Sequence, residues 1–403
     1  MPSVCCYFQV HQPLRHRHFT VFDFKQGLSY EDEENNRQIL NKVAKKCYLP
    51  TNRIMLDLIR KHGGDFRISF SVTGVMLEQM ERYNQQVLDS FKRLADTGCV
   101  EFLGETYYHS LAFLYSMREF REQVALHREK IKALFGQTPQ TFRNTELIYS
   151  NDLARVIEKM RYKAILAEGA DHVLEWRSPN HVYQPAGCAK LKLLLRNYRL
   201  SDDIAFRFSN RQWPEYPLTA DKFARWLHRT DAASQTINLF MDYETFGEHQ
   251  WADTGIFDFL KAFPGEVLKN PDFRFQTPLE VARENDSAAQ LDVPNPVSWA
   301  DVERDLTAWI GNALQKDAIN ALYGLERKVR KTKNAGILSI WRRLQTSDHF
   351  YYMCTKWFAD GDVHKYFTPY ASPYDAYINY MNILADFSDA MSAQACRREA
   401  PVA

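Results

Sequence analysis

The chain has 403 residues, and 51 Lys and Arg residues against 50 Asp and Glu residues give it a formal net charge of +1. This balance, without any long basic block, argues against a nucleic-acid partner. The first residues lack the basic region and apolar core of a secretory signal, and no apolar run is long enough to span a membrane. The sequence therefore predicts a soluble, cytoplasmic protein without membrane association, and its length predicts one large domain with a smaller appendage.

Short apolar segments alternate with longer helical patterns through the first two-thirds of the chain, which predicts parallel β/α units. The predicted strands lie near residues 4–10, 66–72, 100–103, 141–142, 164–167, 192–195 and 236–241. A polar residue follows each of them, in chain order His11, Thr73, Glu105, Glu146, Glu168, Asn197 and Asp242. Polar side chains at the carboxyl ends of parallel strands are typical of a barrel whose active site lies on that rim.

Helix start signals support this alternation. Ser116 and Glu119 have the spacing of a capping box, and Thr277 and Glu280 repeat the pattern with a proline at the first helical position. A further helix is predicted to begin after Ser372.

The chain divides into four predicted segments. Residues 1–286 form the barrel, residues 287–298 form a linker that contains two prolines, residues 299–394 form a helical bundle, and residues 395–403 form a flexible tail. The bundle is predicted because no convincing strand pattern follows the linker.

Two acids on the predicted rim are candidates for chemistry. Glu146 follows the fourth strand, and Asp242 follows the seventh. Glycoside hydrolysis uses such a pair of carboxyl groups, in the retaining case one to attack the anomeric carbon and the other to protonate the leaving oxygen. Each acid also has a structural explanation, because carboxylates are favourable at helix amino termini.

Other residues are candidates to line a sugar-binding cleft. Glu101 lies inside the third strand, where alternation allows its side chain to face the barrel mouth. Tyr108 and His109 follow the same strand, and Trp309 in the predicted bundle has a ring suited to stacking on a glucan. The alternative for each is a structural role, since aromatic side chains in a helical bundle usually belong to its core.

Five short motifs occur in the order known from glycoside hydrolase family 57, and the chain resembles that family over nearly its whole length. The motifs are His11-Gln12-Pro13, Gly98-Cys99-Val100-Glu101, Phe142-Arg143-Asn144-Thr145-Glu146, Asp242-Tyr243-Glu244-Thr245-Phe246-Gly247 and Ser347-Asp348-His349-Phe350. The residues around Glu146 and Asp242 are most similar to the α-amylase branch.

The resemblance implies an α/β fold with an incomplete seven-stranded parallel (β/α)7 barrel and a C-terminal α-helical bundle domain. It also implies a retaining mechanism and an α-1,4-glucan or maltooligosaccharide substrate, with Glu146 as the nucleophile and Asp242 as the general acid/base. Three further residues would contact the sugar at the cleavage subsite: His11, Glu101 and Asp348. One departure is Arg143, because several family members have Trp three residues before the nucleophile.

Other functions stay open at this point. A sugar hydroxyl that replaces water as the acceptor would give 4-α-glucanotransferase or branching activity with the same two acids. A metal-dependent carbohydrate hydrolase would place zinc among His11, His109 and Asp242, but these histidines lack the short spacing of a typical zinc site. A non-catalytic glucan-binding protein is a further alternative. No phosphate-binding or dinucleotide-binding motif occurs, so we expect no cofactor and no metal, and the sequence gives no indication of the oligomeric state.

Overall fold

The structure is a computed structural model that describes residues 2–27, 29–356 and 368–399, with the backbone alone for residues 393–399. Ten β-strands lie in these residues. They are β1 (Ser3–Val10), β2 (Ile68–Val72), β3 (Val100–Phe102), β4 (Thr141–Arg143), β5 (Ala164–Glu168), β6 (Val182–Pro185), β7 (Lys192–Arg196), β8 (Thr236–Asp242), β9 (Arg274–Phe275) and β10 (Ala289–Leu291).

The α-helices of the described residues alternate with the strands in the first part of the chain and follow one another in the last part. They are α1 (Glu33–Val43), α2 (Leu49–Lys61), α3 (Gly74–Tyr83), α4 (Gln85–Ala95), α5 (Ala112–Tyr115), α6 (Met117–Phe135), α7 (Asn151–Lys159), α8 (Asp171–Leu174), α9 (Tyr198–Ala205), α10 (Ala220–His228), α11 (Ile256–Val267), α12 (Pro278–Glu284), α13 (Thr307–Ile310), α14 (Ala313–Gly324), α15 (Glu326–Thr332), α16 (Ala335–Arg343), α17 (Ser347–Tyr351) and α18 (Pro373–Glu399). Within the part of the chain that the structure describes, none of them has the length and apolar character needed to cross a membrane. The predicted cytoplasmic location stays a prediction.

The strands form two five-stranded sheets, which have the orders β3-β2-β1-β8, with β9 beside β1, and β10-β6-β7-β5-β4. Backbone hydrogen bonds of 2.9 Å connect the two sheets: Gly104, just after β3, exchanges them with β4, and the N–H of Asn197, just after β7, donates to Asn238 in β8. The seven predicted strands therefore follow one another as β1, β2, β3, β4, β5, β7 and β8. This barrel-like α/β arrangement with parallel strands is the predicted fold class.

The first strand shows why the strands are almost continuously apolar. Val4, Cys6 and Phe8 pack into one core cluster together with the surrounding helices. Cys5 and Tyr7, which point to the other side, belong to a second cluster with side chains of β5, β7 and β8. Because side chains alternate along a strand, a parallel sheet covered on both faces needs apolar residues at nearly every position.

Three short strands were not predicted from the sequence. β6 pairs antiparallel to β7, β9 has only two residues, and β10 pairs with β6 but has two exposed residues. Short strands with exposed or irregular partners carry little hydrophobic periodicity, so the sequence pattern does not reveal them.

The helix start signals were confirmed in part. The Thr277 side chain accepts the N–H of Glu280, and the Glu280 carboxylate accepts the N–H of Thr277, so this capping box is present. Ser116 accepts the N–H of Glu119 at 3.2 Å, but the Glu119 carboxylate binds Arg342 at 2.8 Å instead of returning to Ser116. The second half of that predicted box is wrong, because a buried carboxylate gains more from a guanidinium than from the cap.

Contacts divide the chain into two units. The barrel unit comprises Met1–Gln12, Arg37–Glu105 and Val124–Trp299, and the helical unit comprises Pro13–Asn36, Thr106–Gln123 and Ala300–Ala403. The predicted boundaries were continuous in sequence, whereas the helical unit also takes the residues that follow β1 and β3. Such an assignment depends on contacts between distant parts of the chain, which a linear pattern does not reveal.

The predicted linker and tail also need correction. Residues 287–298 belong to the barrel unit and contain β10, so they are a paired segment of that unit. The last helix, α18, continues to Glu399, so the first residues of the predicted tail are helical. Residues 400–403 lie outside the described residues.

Candidate active site

Glu146 lies in the loop that follows β4, and its side chain is half-buried. Its backbone has φ 58° and ψ 25°, the left-handed conformation that residues other than glycine rarely adopt. Trp299 binds it twice: the indole Nε1–H donates to Glu146 Oε2 at 2.9 Å, and the Trp299 backbone N–H donates to the Glu146 carbonyl oxygen at 3.3 Å. The carboxylate is thus fixed at the carboxyl end of β4.

Asp242 is the last residue of β8, where it pairs with Gln9 of β1, and it is half-buried. Glu244, two residues later, is buried and accepts a hydrogen bond from the Tyr48 hydroxyl. Burial, and then the charge of Asp242, raises the pKa of Glu244 to about 8. Burial and the neighbouring Asp242 thus both disfavour the ionised form of Glu244.

His11 and Glu105 extend the polar rim along β1, β2 and β3. His11 follows β1 and is bonded through Nδ1 to the Thr73 hydroxyl at 2.9 Å. Glu105 is fully buried and accepts hydrogen bonds from Ser71 and, at 3.4 Å, from Gln9. The sequence predicted polar residues at these strand ends, and the structure shows that they bind one another across neighbouring strands.

Arg143, at the position where several family members have Trp, is fully buried. Its guanidinium carbon lies 4.8 Å from the centre of the Trp299 ring. Arg196 of β7 lies at 5.8 Å from the same centre, and its Nε donates to the Phe240 carbonyl oxygen at 2.7 Å. Direct contacts therefore lead from Glu146 through Trp299 and Arg196 to β8, the strand that ends in Asp242.

Glu101 has a structural role, which corrects its predicted position at the mouth. The side chain is 9% exposed, and its carboxylate accepts the Leu279 N–H in the first turn of α12 at 2.9 Å. Helix α12 follows β9, which pairs with Ser3 and Val4 at the start of β1. Glu101 is the middle residue of β3, in register with Ser69 of β2, and burial raises its pKa to about 7.

Tyr108, His109 and Asp348 belong to the helical unit. The Thr346 hydroxyl donates to the Tyr108 carbonyl oxygen at 3.0 Å, and the Ser347 N–H donates to the His109 carbonyl oxygen at 2.9 Å. The loop after β3 and the start of α17 are therefore joined within this unit. His109 and Tyr108 are buried, and Asp348 is half-buried. Their roles as sugar contacts stay predictions.

Trp309, a candidate for stacking on a glucan, is enclosed in the protein. Its side chain is 1% exposed in the helical unit, and its ring lies 6.2 Å from that of Tyr351. A ring enclosed in this way has no free face for a sugar. The structural alternative for Trp309, a place in the core, is the one that the structure supports.

A barrel-like α/β fold with acidic side chains at the carboxyl ends of its parallel strands is typical of an enzyme with its active site on that rim, and glycoside hydrolysis is one reaction that such acids perform. The particular family follows from comparison with known proteins. The sequence model of glycosyl hydrolase family 57 matches residues 5–294. The chain belongs to this family and is a glycoside hydrolase.

Individual relatives agree with this assignment. The chain is 44% identical over 393 residues to the Methanocaldococcus jannaschii protein named "Putative alpha-amylase", a match that covers 94% of this chain and 83% of the relative. A branching enzyme structure from Pyrococcus horikoshii has a TM-score of 0.69 at 13% identity, covering 98% of this chain and 91% of that one. An alpha-amylase structure from Thermotoga maritima has a TM-score of 0.62 at 14% identity, covering 98% and 94%. At such low identity, the two structures show the fold alone.

Proposed function

We propose that the chain is a retaining glycoside hydrolase that acts on α-1,4-glucans, with Glu146 as the nucleophile and Asp242 as the general acid/base. The observation that carries the proposal is the fixed Glu146 carboxylate at the end of β4, bonded to the Trp299 indole at 2.9 Å. An attacking carboxylate must be oriented before the substrate arrives, and a hydrogen bond to one oxygen provides that orientation. The identity to a relative named as an amylase supports the substrate class.

The reaction would proceed in two steps on these residues. Glu146 attacks the anomeric carbon while Asp242 gives a proton to the leaving glycosidic oxygen, so a covalent glycosyl-enzyme forms. Asp242 then removes a proton from an incoming water molecule, which attacks the same carbon and releases Glu146. Two inversions leave the anomeric configuration of the substrate unchanged.

A product profile separates hydrolysis from the transfer alternative. Purified protein is incubated with maltoheptaose, and the products are separated by chain length while new reducing ends are counted. Hydrolysis gives shorter chains and one new reducing end for each cleavage. Longer chains without a net gain of reducing ends would indicate a glucanotransferase, and new α-1,6 linkages would indicate branching activity.

The stereochemistry and the binding alternative need their own measurements. Proton NMR during the first turnovers is expected to show the α-anomer of the product before mutarotation, and an initial β-anomer would contradict the retaining mechanism. Glucan binding without any turnover, measured by calorimetry beside the product assay, would favour the non-catalytic alternative.

A further inference from the structure

The segment before Trp299 is fixed to the residues that follow Glu146. Two N–H···O bonds of 2.9 Å join Tyr149 and Val297 in an antiparallel bridge. Trp299 comes two residues after Val297, and its N–H reaches the Glu146 carbonyl oxygen at 3.3 Å. A stretch that the sequence presents as a linker thus carries an indole ring to the proposed nucleophile.

The indole is bonded to a residue whose backbone is strained. A glutamate in the left-handed conformation is unfavourable, and it persists only when its surroundings hold it there. Trp299 supplies one bond to the Glu146 main chain and one, at 2.9 Å, to its carboxylate. Trp299 therefore contacts both the main chain of Glu146 and its carboxylate.

Two guanidinium groups lie against the Trp299 ring, and they differ in their other contacts. Arg196 binds Glu168 at 3.1 Å and also pairs with Asp202. Arg143 is fully buried, and among the described residues none of its three guanidinium nitrogens has a hydrogen-bond partner. A cation is attracted to the face of an indole ring, and it makes the ring N–H a stronger donor. Because two carboxylates offset the charge of Arg196, Arg143 is the cation that more strongly favours the bond from Trp299 to an ionised Glu146.

We propose that Trp299 is the positioning residue of Glu146, and that Arg143 and Arg196 act through its ring. This inference rests on the proposed role of Glu146 as the nucleophile. With Oε2 held by the indole, an electron pair of Oε1 forms the bond to the anomeric carbon. The glycosidic bond breaks, and its oxygen takes its electron pair and the proton of Asp242.

The same hydrogen bond acts again in the second step. Water attacks the anomeric carbon and gives a proton to Asp242, while the electrons of the bond to Oε1 return to Glu146. The released group is a carboxylate, and the Trp299 N–H stabilises the charge that forms on it. Trp299 thus orients the nucleophile in the first step and assists its departure in the second.

Trp299→Phe tests the inference, because phenylalanine keeps a ring but removes the N–H donor. We expect kcat/KM to fall about 10-fold to 100-fold, the range for loss of a hydrogen bond to a charged group. The acid limb of the kcat/KM profile should move to higher pH, since Glu146 loses a donor that favours its ionised form. A purely structural role would not move this limb. The control is Trp226→Phe on α10, whose ring packs against Phe223 at 6.0 Å; its profile should match the wild type.

Arg143→Met tests the cation without removing the indole. The acid limb of the kcat/KM profile should move to higher pH, by a smaller amount than in Trp299→Phe. The thermal midpoint of unfolding should be unchanged or higher, because an unpaired buried cation is lost. If Trp299→Phe does not fold, the pH profile of Arg143→Met tests the inference in its place. An unchanged acid limb in Arg143→Met, or wild-type kcat/KM in folded Trp299→Phe, would overturn the inference.

Glu146→Gln separates this inference from the proposed function. If Glu146→Gln keeps its activity, the assignment of the nucleophile fails, and the inference fails with it. If Glu146→Gln is inactive while folded Trp299→Phe behaves as wild type, only the positioning role fails.

Discussion

The carboxyl ends of the parallel strands and the interior of β3 use the same kind of side chain, a carboxylate, in different ways. At the carboxyl ends, Glu146 and Asp242 are half-buried. Glu146 lies in the loop after β4, and Asp242 is the last residue of β8. Inside β3, Glu101 is buried and binds the first turn of α12. The residue type alone does not assign a carboxylate to catalysis or to structure; its access to solvent and the groups that donate to it do so.

The sharpest test of this contrast is to remove the charge at the carboxyl ends. Glu146→Gln is expected to lower kcat/KM by about 10³-fold or more, because the nucleophile is lost. Asp242→Asn should cost about 10²-fold to 10⁴-fold, the usual contribution of a general acid/base. Steady-state kinetics on maltooligosaccharides measure both effects, and circular dichroism checks that the fold is kept. Activity within tenfold of wild type in either variant would contradict the assignment.

Azide distinguishes the roles of the two acids. With a substrate whose leaving group needs no proton, azide should restore turnover in Asp242→Ala and give an α-glycosyl azide, because Glu146 still forms the intermediate. In Glu146→Ala, azide should attack the substrate directly and give the β-product. Mass spectrometry and NMR identify the azides. Exchanged configurations would mean that the two roles are exchanged.

Inside β3, Glu101→Gln should change the pH dependence of stability and leave activity unchanged. The pKa of Glu101 is about 7 in the folded protein against a usual 4.5, so the folded state binds this proton more tightly. Its contribution is fully present below about pH 4.5 and is lost as the pH rises through about 7, to a total of roughly 3 kcal/mol. As the pH rises from 5 to 8, the free energy of unfolding of Glu101→Gln should therefore increase relative to that of the wild type.

Denaturant unfolding at several pH values measures this difference. Glu284→Gln, an exposed acid on the same helix, is the control and should keep the wild-type pH dependence. A loss of glucan turnover in Glu101→Gln comparable to that in Asp242→Asn would restore Glu101 to the substrate site.

The smallest expected effect concerns a structural contact at the carboxyl ends. Tyr48→Phe removes the hydroxyl that donates to buried Glu244, and it should lower the free energy of unfolding by about 1–2 kcal/mol. Tyr198→Phe, whose exposed hydroxyl binds Asp171 at 2.8 Å, is the matched control and should change stability by less than about 0.5 kcal/mol. Equal effects of the two substitutions would show that burial does not determine how much the Tyr48 hydrogen bond contributes to the free energy of unfolding.

The sequence by itself determined the seven parallel strands and the polar residue at the end of each. Both features are local: a strand buried on two faces needs a continuous apolar run, and the chain becomes polar where it reaches the rim. The positions of Glu146 and Asp242 follow directly from this pattern, and their proposed roles come from the motifs around them.

Only the tertiary structure decided that Trp299 reaches Glu146 across 153 positions of sequence, that Glu101 binds Leu279, and that Trp309 is enclosed. It also decided that residues after β1 and β3 join the helical unit. Local periodicity gives the face on which a side chain lies, but its height along a strand and its distant partners depend on how the whole chain packs.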